Sequence, residues 1–395
     1  MSDERSYDVV VVGGGASGLM CASQAAARGL SVLVLEKGPK VGLKILVSGG
    51  GRCNFTNLYA DPEEQFLSEN PHFCISAMRR YLPHDFISLV ESHNIAYHEK
   101  KLGQLFCDES AKDITAMLLV ECDRAGVDIV LNAEVQSVEC MDAGFKAQAA
   151  NGDYLGNKLV LASGGLSLPK IATDLAFRVA KTLELKVVAP RAALVPLTWN
   201  GADKQLFAAL SGVSLDAEVT AGGTLFRENL LFTHRGLSGP AVLQASSYWR
   251  EGAGLQINLL PGVDAQEWLL ESREERSQQL ISTVLKSKLP NRLVELLDGQ
   301  WFKAQKLGSA SHQELRVLGA QLNRWEFMPG GSEGYRTAEV TLGGIDTDEV
   351  SSRTFELKRV PGMYAVGEAL DVTGWLGGYN FQWAWASGWC CAQHL

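Results

Sequence analysis

Tyr7-Asp8-Val9-Val10-Val11-Val12-Gly13-Gly14-Gly15-Ala16-Ser17-Gly18 decides the fold of this chain. Four successive valines read as a buried strand, a glycine turn follows, and a helix opens at Ser17. A second apolar strand, Ser31-Val32-Leu33-Val34-Leu35, ends at Glu36. Strand, turn, helix, strand and acidic terminus in register form a βαβ unit that carries the dinucleotide fingerprint. Gly13 permits the sharp turn, Gly15 lets a diphosphate approach the backbone, and Gly18 lets helix and sheet pack closely. The N–H groups at the helix start, backed by its dipole, favour an anion there. Glu36 stands where a carboxylate hydrogen-bonds a ribose hydroxyl, an interaction contributing about 1.5–3 kcal/mol. The same carboxylate disfavours a 2′-phosphate, which argues against an NADP-type ligand at this site.

The chain has 395 residues, which exceeds one typical core and predicts two or three subdomains. Its net charge of −9 argues against a general nucleic-acid or anionic-membrane surface while leaving room for a local patch, and no nucleic-acid partner is expected. The uncharged run from Val9 to Ala27 is explained by the βα turn and is broken by Ser17, Ser23 and Gln24, so it does not predict a membrane span. Asp3 and Glu4 do not suit a secretory leader, and a cytoplasmic location is expected. The eight cysteines (Cys21, Cys53, Cys74, Cys107, Cys122, Cys140, Cys390, Cys391) form no C-x-x-C pair and no metal-ligand spacing. Reduced thiols and no metal are expected.

Gly38-Pro39 leads into a glycine-rich loop from Lys44 to Asn57. Helices are expected over 71–93, broken near Pro83, and over 110–125. Strands follow in Val127 to Val138 and in Lys158-Leu159-Val160-Leu161-Ala162. Short strands after Pro190 (Leu194 to Trp199, Val213 to Thr220, Thr224 to Phe226, Leu255 to Leu260) suggest a β-rich piece. A charged helical stretch runs from Asp264 to Arg324, and sheet character returns after Tyr335. The predicted organisation is α/β: a discontinuous Rossmann-like domain (1–190 and 335–395), a β-rich insert (191–262 and 325–334) and a helical insert (263–324).

The C-terminal region favours a flavin over a nicotinamide. A strand ending at Gly367-Glu368 can bring a carboxylate to a ribityl chain, with Asp371 close behind. A helix opening at Gly378-Tyr379-Asn380-Phe381 aims its positive end at a flavin pyrimidine edge, a contribution of about 0.3–1 kcal/mol. Here the chain resembles the BaiN-like FAD-dependent oxidoreductases, the group that includes aminoacetone oxidase-type enzymes. The resemblance rests on the first fingerprint and on Lys44-Ile45-Leu46-Val47-Ser48-Gly49-Gly50-Gly51-Arg52-Cys53-Asn54-Phe55-Thr56-Asn57. It continues in Leu231-Phe232-Thr233-His234-Arg235-Gly236-Leu237-Ser238-Gly239-Pro240, Gly367-Glu368-Ala369-Leu370-Asp371 and Gly377-Gly378-Tyr379-Asn380-Phe381-Gln382. It implies that the Rossmann-like domain is of the glutathione-reductase type and binds FAD, and that the β-rich insert is β-barrel-like. It implies FAD bound along Gly13, Gly15, Ala16, Ser17, Gly18, Glu36, Lys37, Lys44, Ser48, Gly49, Gly50, Arg52, Cys53, Asn54, Val135, Ala162, Ser163, Gly164, Gly367, Glu368, Asp371, Gly378, Tyr379, Asn380 and Phe381. The chain departs from the family after Ser167-Leu168-Pro169-Lys170, where Ile171-Ala172-Thr173-Asp174 replaces the usual glycines.

Three residues are candidates for catalysis. Cys53 is either a redox thiol or a packing group, because the paired cysteines of flavin disulfide reductases are absent. His234 is either a general base or a structural group. Tyr379 either presents its hydroxyl to the flavin or substrate or packs on its helix. Lys44 and Arg52 suit phosphate or an anionic substrate. No second strand-linked G-x-G-x-x-G occurs, so any NAD(P)H acting as transient donor must dock directly over the flavin. The expected function is an FAD-dependent oxidoreductase passing hydride through flavin N5 to or from a small organic substrate, by amine oxidation or by NAD(P)H-dependent reduction. The alternatives are a non-catalytic flavin-binding or redox-sensing protein and an RNA-modifying flavoenzyme.

Overall fold

The computed structural model describes residues 6–395. It divides into two compact units, residues 6–191 with Val340–Leu395, and Ala192–Glu339.

The first unit is built on a sheet of β1 (Ser6–Val12), β2 (Val32–Leu35), β3 (Asp128–Val130), β4 (Val135–Met141), β5 (Gly144–Ala149), β6 (Gly152–Leu161) and β7 (Met363–Ala365). The strand order is β3-β2-β1-β6-β5-β4, with β7 beside β6. β1 pairs in parallel with β2 and β6, and β2 with β3. β6 changes partner along its length: its first half runs antiparallel to β5, and its last residues run parallel to β7. Val9, Val10 and Val11 are fully buried, as a strand covered on both faces requires. Each such side chain contributes about 1.5–3 kcal/mol by leaving water.

Helices α1 (Ala16–Ala26), α2 (Ala111–Ala125) and α3 (Tyr379–Ala392) belong to this unit. Ser110 caps α2 by accepting from Lys112 N (3.2 Å), and Gly126 ends it in a left-handed turn. α1 and α3 touch at backbone distance, because a Cβ on Gly388 would lie 2.5 Å from Ser17 O. The expected helix over 71–93 is two helices, Ile75–Arg80 and Pro83–Ser92, with Pro83 at the start of the second. The expected Lys44–Asn57 loop is more ordered than a loop. It contains a helical turn (Leu43–Val47), a tight glycine turn (Ser48–Gly51) and a strand (Asn54–Asn57). Fully buried Ile45 anchors the first piece, and positive φ at Gly49, Gly50 and Gly51 turns the chain into the strand.

The second unit carries a seven-stranded antiparallel sheet that includes Ser214–Ala221, Thr224–Phe232 and Leu255–Asn258. An aromatic cluster of Trp199, Phe207, Phe232, Trp325 and Phe327 forms its core. Helices Ala265–Glu275, Ile281–Leu285, Asn291–Leu297 and His312–Asn323 follow the sheet's central strands in the chain. Gly319 admits the backbone of Gln266, whose Cα would lie 2.6 Å from an added Cβ.

Among the described residues no helix is long and apolar enough to cross a membrane, and no group of three His, Cys, Asp or Glu is placed to hold a metal. All eight cysteines are free thiols, and only Cys140 is exposed.

Candidate functional site

The glycine turn behaves as three different positions. Gly13 has φ +116, and a Cβ there would lie 2.4 Å from Ala162 O. A Cβ on Gly18 would lie 2.0 Å from Gly13 O. These two glycines are demanded by the protein itself. Gly15 is not: its φ of −87 and ψ of −167 suit any residue, and an added Cβ would meet nothing within 4 Å. No side chain caps α1, and its first turn carries no acid. The N–H groups of Ala16, Ser17 and Gly18 are the helix's unsatisfied donors. Beside them the Oγ of Ser163 is buried without a hydrogen-bond partner. Open donors, an orphaned hydroxyl and a glycine with no internal reason to be one fit a diphosphate at this turn.

Glu36 sits at the end of β2. Its Oε2 accepts from Gly14 N (2.9 Å) and its Oε1 from Gly38 N (2.6 Å). The carboxylate braces both flanking turns and keeps further lone pairs for a ribose. Val135 is buried at the start of β4, the strand after Ala133, whose N–H donates to Glu36 O (2.9 Å). Lys37 Nζ donates to Ala172 O.

A polar network surrounds Glu368. Lys44 Nζ donates to Glu368 Oε2 (2.5 Å) and to Ser167 Oγ (2.6 Å). Glu368 Oε1 accepts from Thr341 N (2.8 Å) and from Ser167 Oγ (3.3 Å). Thr341 Oγ1 accepts from the N–H groups of Leu166 (2.7 Å) and Ser167 (3.1 Å). Sequence reasoning found Lys44 and Glu368 but missed Ser167 and Thr341, which lie in no glycine motif. Gly367, at φ +66, approaches α1: a Cβ there would lie 2.5 Å from Ser17 Oγ. The network and the diphosphate turn therefore adjoin.

At the opposite end, α3 opens at Gly378 (φ +95) with no side-chain cap. A Cβ on Gly378 would lie 2.4 Å from Thr56 O. With its amide oriented to satisfy both ends, Asn54 donates to Leu105 O (3.2 Å) and Thr56 O (3.3 Å) and accepts from Gly378 N (3.3 Å). Asn380 holds the preceding turn through Gly374 N and Gly374 O, both at 2.8 Å. Phe381 stacks on Trp385 at 5.6 Å. Ser48 Oγ donates to Ile45 O (2.7 Å), while Gly50 and exposed Arg52 lie on the open side of the loop.

These surroundings bear on four further residues of the expected site. Cys53 is fully buried, and burial pushes its thiol above the ordinary range, which favours the packing reading over a nucleophile. Tyr379 is buried with its ring edge-on to Phe66 (6.2 Å), and burial raises its phenol. Asp371 does not reach for a ribityl chain. It is buried, its Oδ2 accepts from Glu69 N (2.8 Å), and burial raises its carboxyl. His234 is exposed in the second unit, in a turn pinned by Thr233 Oγ1, which accepts from Arg235 N (3.2 Å) and Gly236 N (3.0 Å).

Comparison with known proteins adds the chemistry. The model of the family described as "HI0933-like protein Rossmann domain" matches residues 7–394. The chain is 50% identical, over 98% of both proteins, to the ribosomal RNA dihydrouridine synthase of Escherichia coli (strain K12). It is 48% identical, again over 98% of both, to the protein of the same name from Haemophilus influenzae. A 3-dehydro-bile acid delta(4,6)-reductase of Clostridium scindens is 29% identical over 97% of both.

These relatives overturn two expectations. A small organic substrate was expected, whereas two relatives that match along nearly the whole chain are named for ribosomal RNA. The absence of a nucleic-acid partner was inferred from net charge, which is a global sum. At a Debye length of about 8 Å, charges far from a binding surface are screened from it, so an acidic chain can hold RNA on a local surface. FAD is the cofactor, and the chain is an FAD-dependent oxidoreductase belonging to the HI0933-like Rossmann family.

Proposed function

We propose that this protein is a ribosomal RNA dihydrouridine synthase, which adds two hydrogens across the C5=C6 bond of a uridine in ribosomal RNA. The observation that carries this reading is 50% identity along nearly the whole length of a protein of that name. The chemistry suits a flavin: the C5=C6 bond is conjugated with the C4 carbonyl, so C6 accepts a hydride and C5 a proton. Bound, reduced FAD supplies the hydride. The reductase name of the bile-acid relative supports the reductive direction. We assign the reducing equivalents to NAD(P)H docking directly over the flavin, and the setting to the cytoplasm, where ribosomal RNA is made.

In this reading the chain's residues bind and orient. Ala16, Ser17 and Gly18 donate backbone N–H groups to the diphosphate, with Ser163 Oγ beside them. Glu36 takes the adenosine ribose. Glu368, fixed by Thr341 N and Lys44, faces the ribityl chain. The uncapped start of α3 sets its dipole at the pyrimidine edge of the ring, which stabilises negative charge there. Tyr379 supports that turn through its ring.

The test is mass mapping of ribosomal RNA from cells lacking the gene and from the same cells complemented with it. One uridine should gain two hydrogens on complementation. Identical RNA from the two strains would refute the reading.

A further inference from the structure

Two of the most exposed apolar side chains of the chain lie together, beside the turn assigned to the flavin ring. Tyr59, just after the strand Asn54–Asn57, is 65% exposed, and Leu102 is 61% exposed. Leu102 sits at the tip of the hairpin between the strands Tyr97–Glu99 and Gln104–Cys107. The pair is held rigidly. Gly103 passes directly against the tyrosine ring: a Cβ there would lie 2.6 Å from Tyr59 Cδ2. Leu58 N donates to Gly103 O (2.9 Å), and Tyr59 N donates to Asn57 Oδ1 (2.9 Å).

Asn57 connects this surface to the site. Its side chain is fully buried, and its Nδ2 donates both to Leu102 O (3.0 Å) and to Gly377 O (2.9 Å). One amide therefore ties the hairpin tip to the Gly377–Gly378 turn. The tip carries two lysines, with Glu99 before them and Asp61, Glu63 and Glu64 after Tyr59 in the chain. Lys100 and Lys101 are both exposed there, and Lys100 Nζ lies 5.4 Å from the Phe106 ring centroid. The neighbouring acid, Glu99, is directed at the turn backbone, with Oε1 accepting from Gly103 N (3.0 Å).

A pinned aromatic face in water loses little entropy on binding a flat apolar partner, and adjacent lysines add attraction for phosphate. Unstacked RNA bases are held in this way by aromatic side chains. We propose that Tyr59 is the stacking platform for an unpaired RNA base flanking the target uridine. Leu102 forms its apolar edge, and Lys100 and Lys101 meet neighbouring phosphates. The inference rests on the RNA reading above and deepens it.

The test measures binding of deproteinised ribosomal RNA and of a labelled single-stranded oligouridylate to the FAD-loaded protein across a salt series. Loss of base stacking in Tyr59→Ala should weaken binding about 5- to 150-fold. Tyr59→Phe and Tyr59→Trp keep the aromatic face and should stay within about threefold of wild type. Lys100→Gln and Lys101→Gln should each lower the logarithmic salt slope by about 0.7. Flavin content reports folding and should equal wild type in all five. If wild type binds neither RNA, the RNA reading falls and the platform with it. If wild type binds and Tyr59→Ala binds equally well, or Tyr59→Phe is as weak as Tyr59→Ala, the platform alone is overturned.

Discussion

Gly15→Val separates cofactor binding from folding more cleanly than any other change at the glycine turn. The backbone at Gly15 is extended, and nothing lies within 4 Å of an added Cβ. Replacing a glycine in a conformation open to other residues usually stabilises the fold by about 0.4–1 kcal/mol. The apoprotein of the variant should therefore melt within about 3 °C of wild-type apoprotein. The branched side chain occupies the approach to the N–H groups of Ala16 and Ser17. Losing one charged hydrogen bond costs about 1.5–3 kcal/mol and displacement from the helix dipole about 0.3–1, together about 2–4 kcal/mol, or about 30- to 900-fold in Kd. The assay is flavin absorbance per protein after purification, followed by titration of the apoprotein with FAD. Gly18→Ala is the contrasting control, because its Cβ would strike Gly13 O and disrupt the fold itself. Full flavin occupancy in Gly15→Val, or a large fall in apoprotein melting temperature, would refute the reasoning.

Three further outcomes follow from the site's surroundings. Cys53→Ala should keep its flavin and reduce ribosomal RNA at a rate within about threefold of wild type, because a buried, protonated thiol offers no nucleophile; loss of turnover at normal flavin content would show otherwise. Tyr379→Phe should match wild type in flavin content and turnover, whereas Tyr379→Ala should lose about 3–5 kcal/mol of stability with its packing on Phe66; an inactive, well-folded Tyr379→Phe would give the phenol a chemical role. Asp371 carries a carboxyl raised by burial, so its contribution to stability is present below the ordinary carboxylate pKa of about 3.9 and is lost as pH rises through the raised folded value. Asp371→Asn keeps an acceptor for Glu69 N and should melt above wild type at neutral pH, the gap closing as pH falls; a lower melting temperature at neutral pH would contradict this.

The Rossmann core was legible because its signals are local. Val9 to Val12, the glycine turn and Glu36 each carry their structural reason within a few residues. The same holds for α2, with Ser110 before it and Gly126 after it. What escaped the sequence depends on long-range contacts. Ser167 and Thr341 matter only because the fold brings residues far apart in the chain onto one carboxylate. Leu43–Val47 reads as loop until Ile45 is seen buried. The choice between the two readings of Cys53, and the surroundings of Asp371, were out of reach for the same reason, since they depend on burial that no motif encodes. The RNA-modifying reading stood second because charge was summed over the whole chain, and a global sum says nothing of a surface a few residues wide.

The central claim is that electrons held on this protein's FAD pass to a uridine in ribosomal RNA. The direct measurement is anaerobic mixing of the reduced holoprotein with ribosomal RNA that lacks the modification, following flavin absorbance and dihydrouridine together. The account predicts that flavin reoxidises as dihydrouridine appears, one for one, and that free uridine leaves the flavin reduced. Flavin that stays reduced in the presence of that RNA would contradict it.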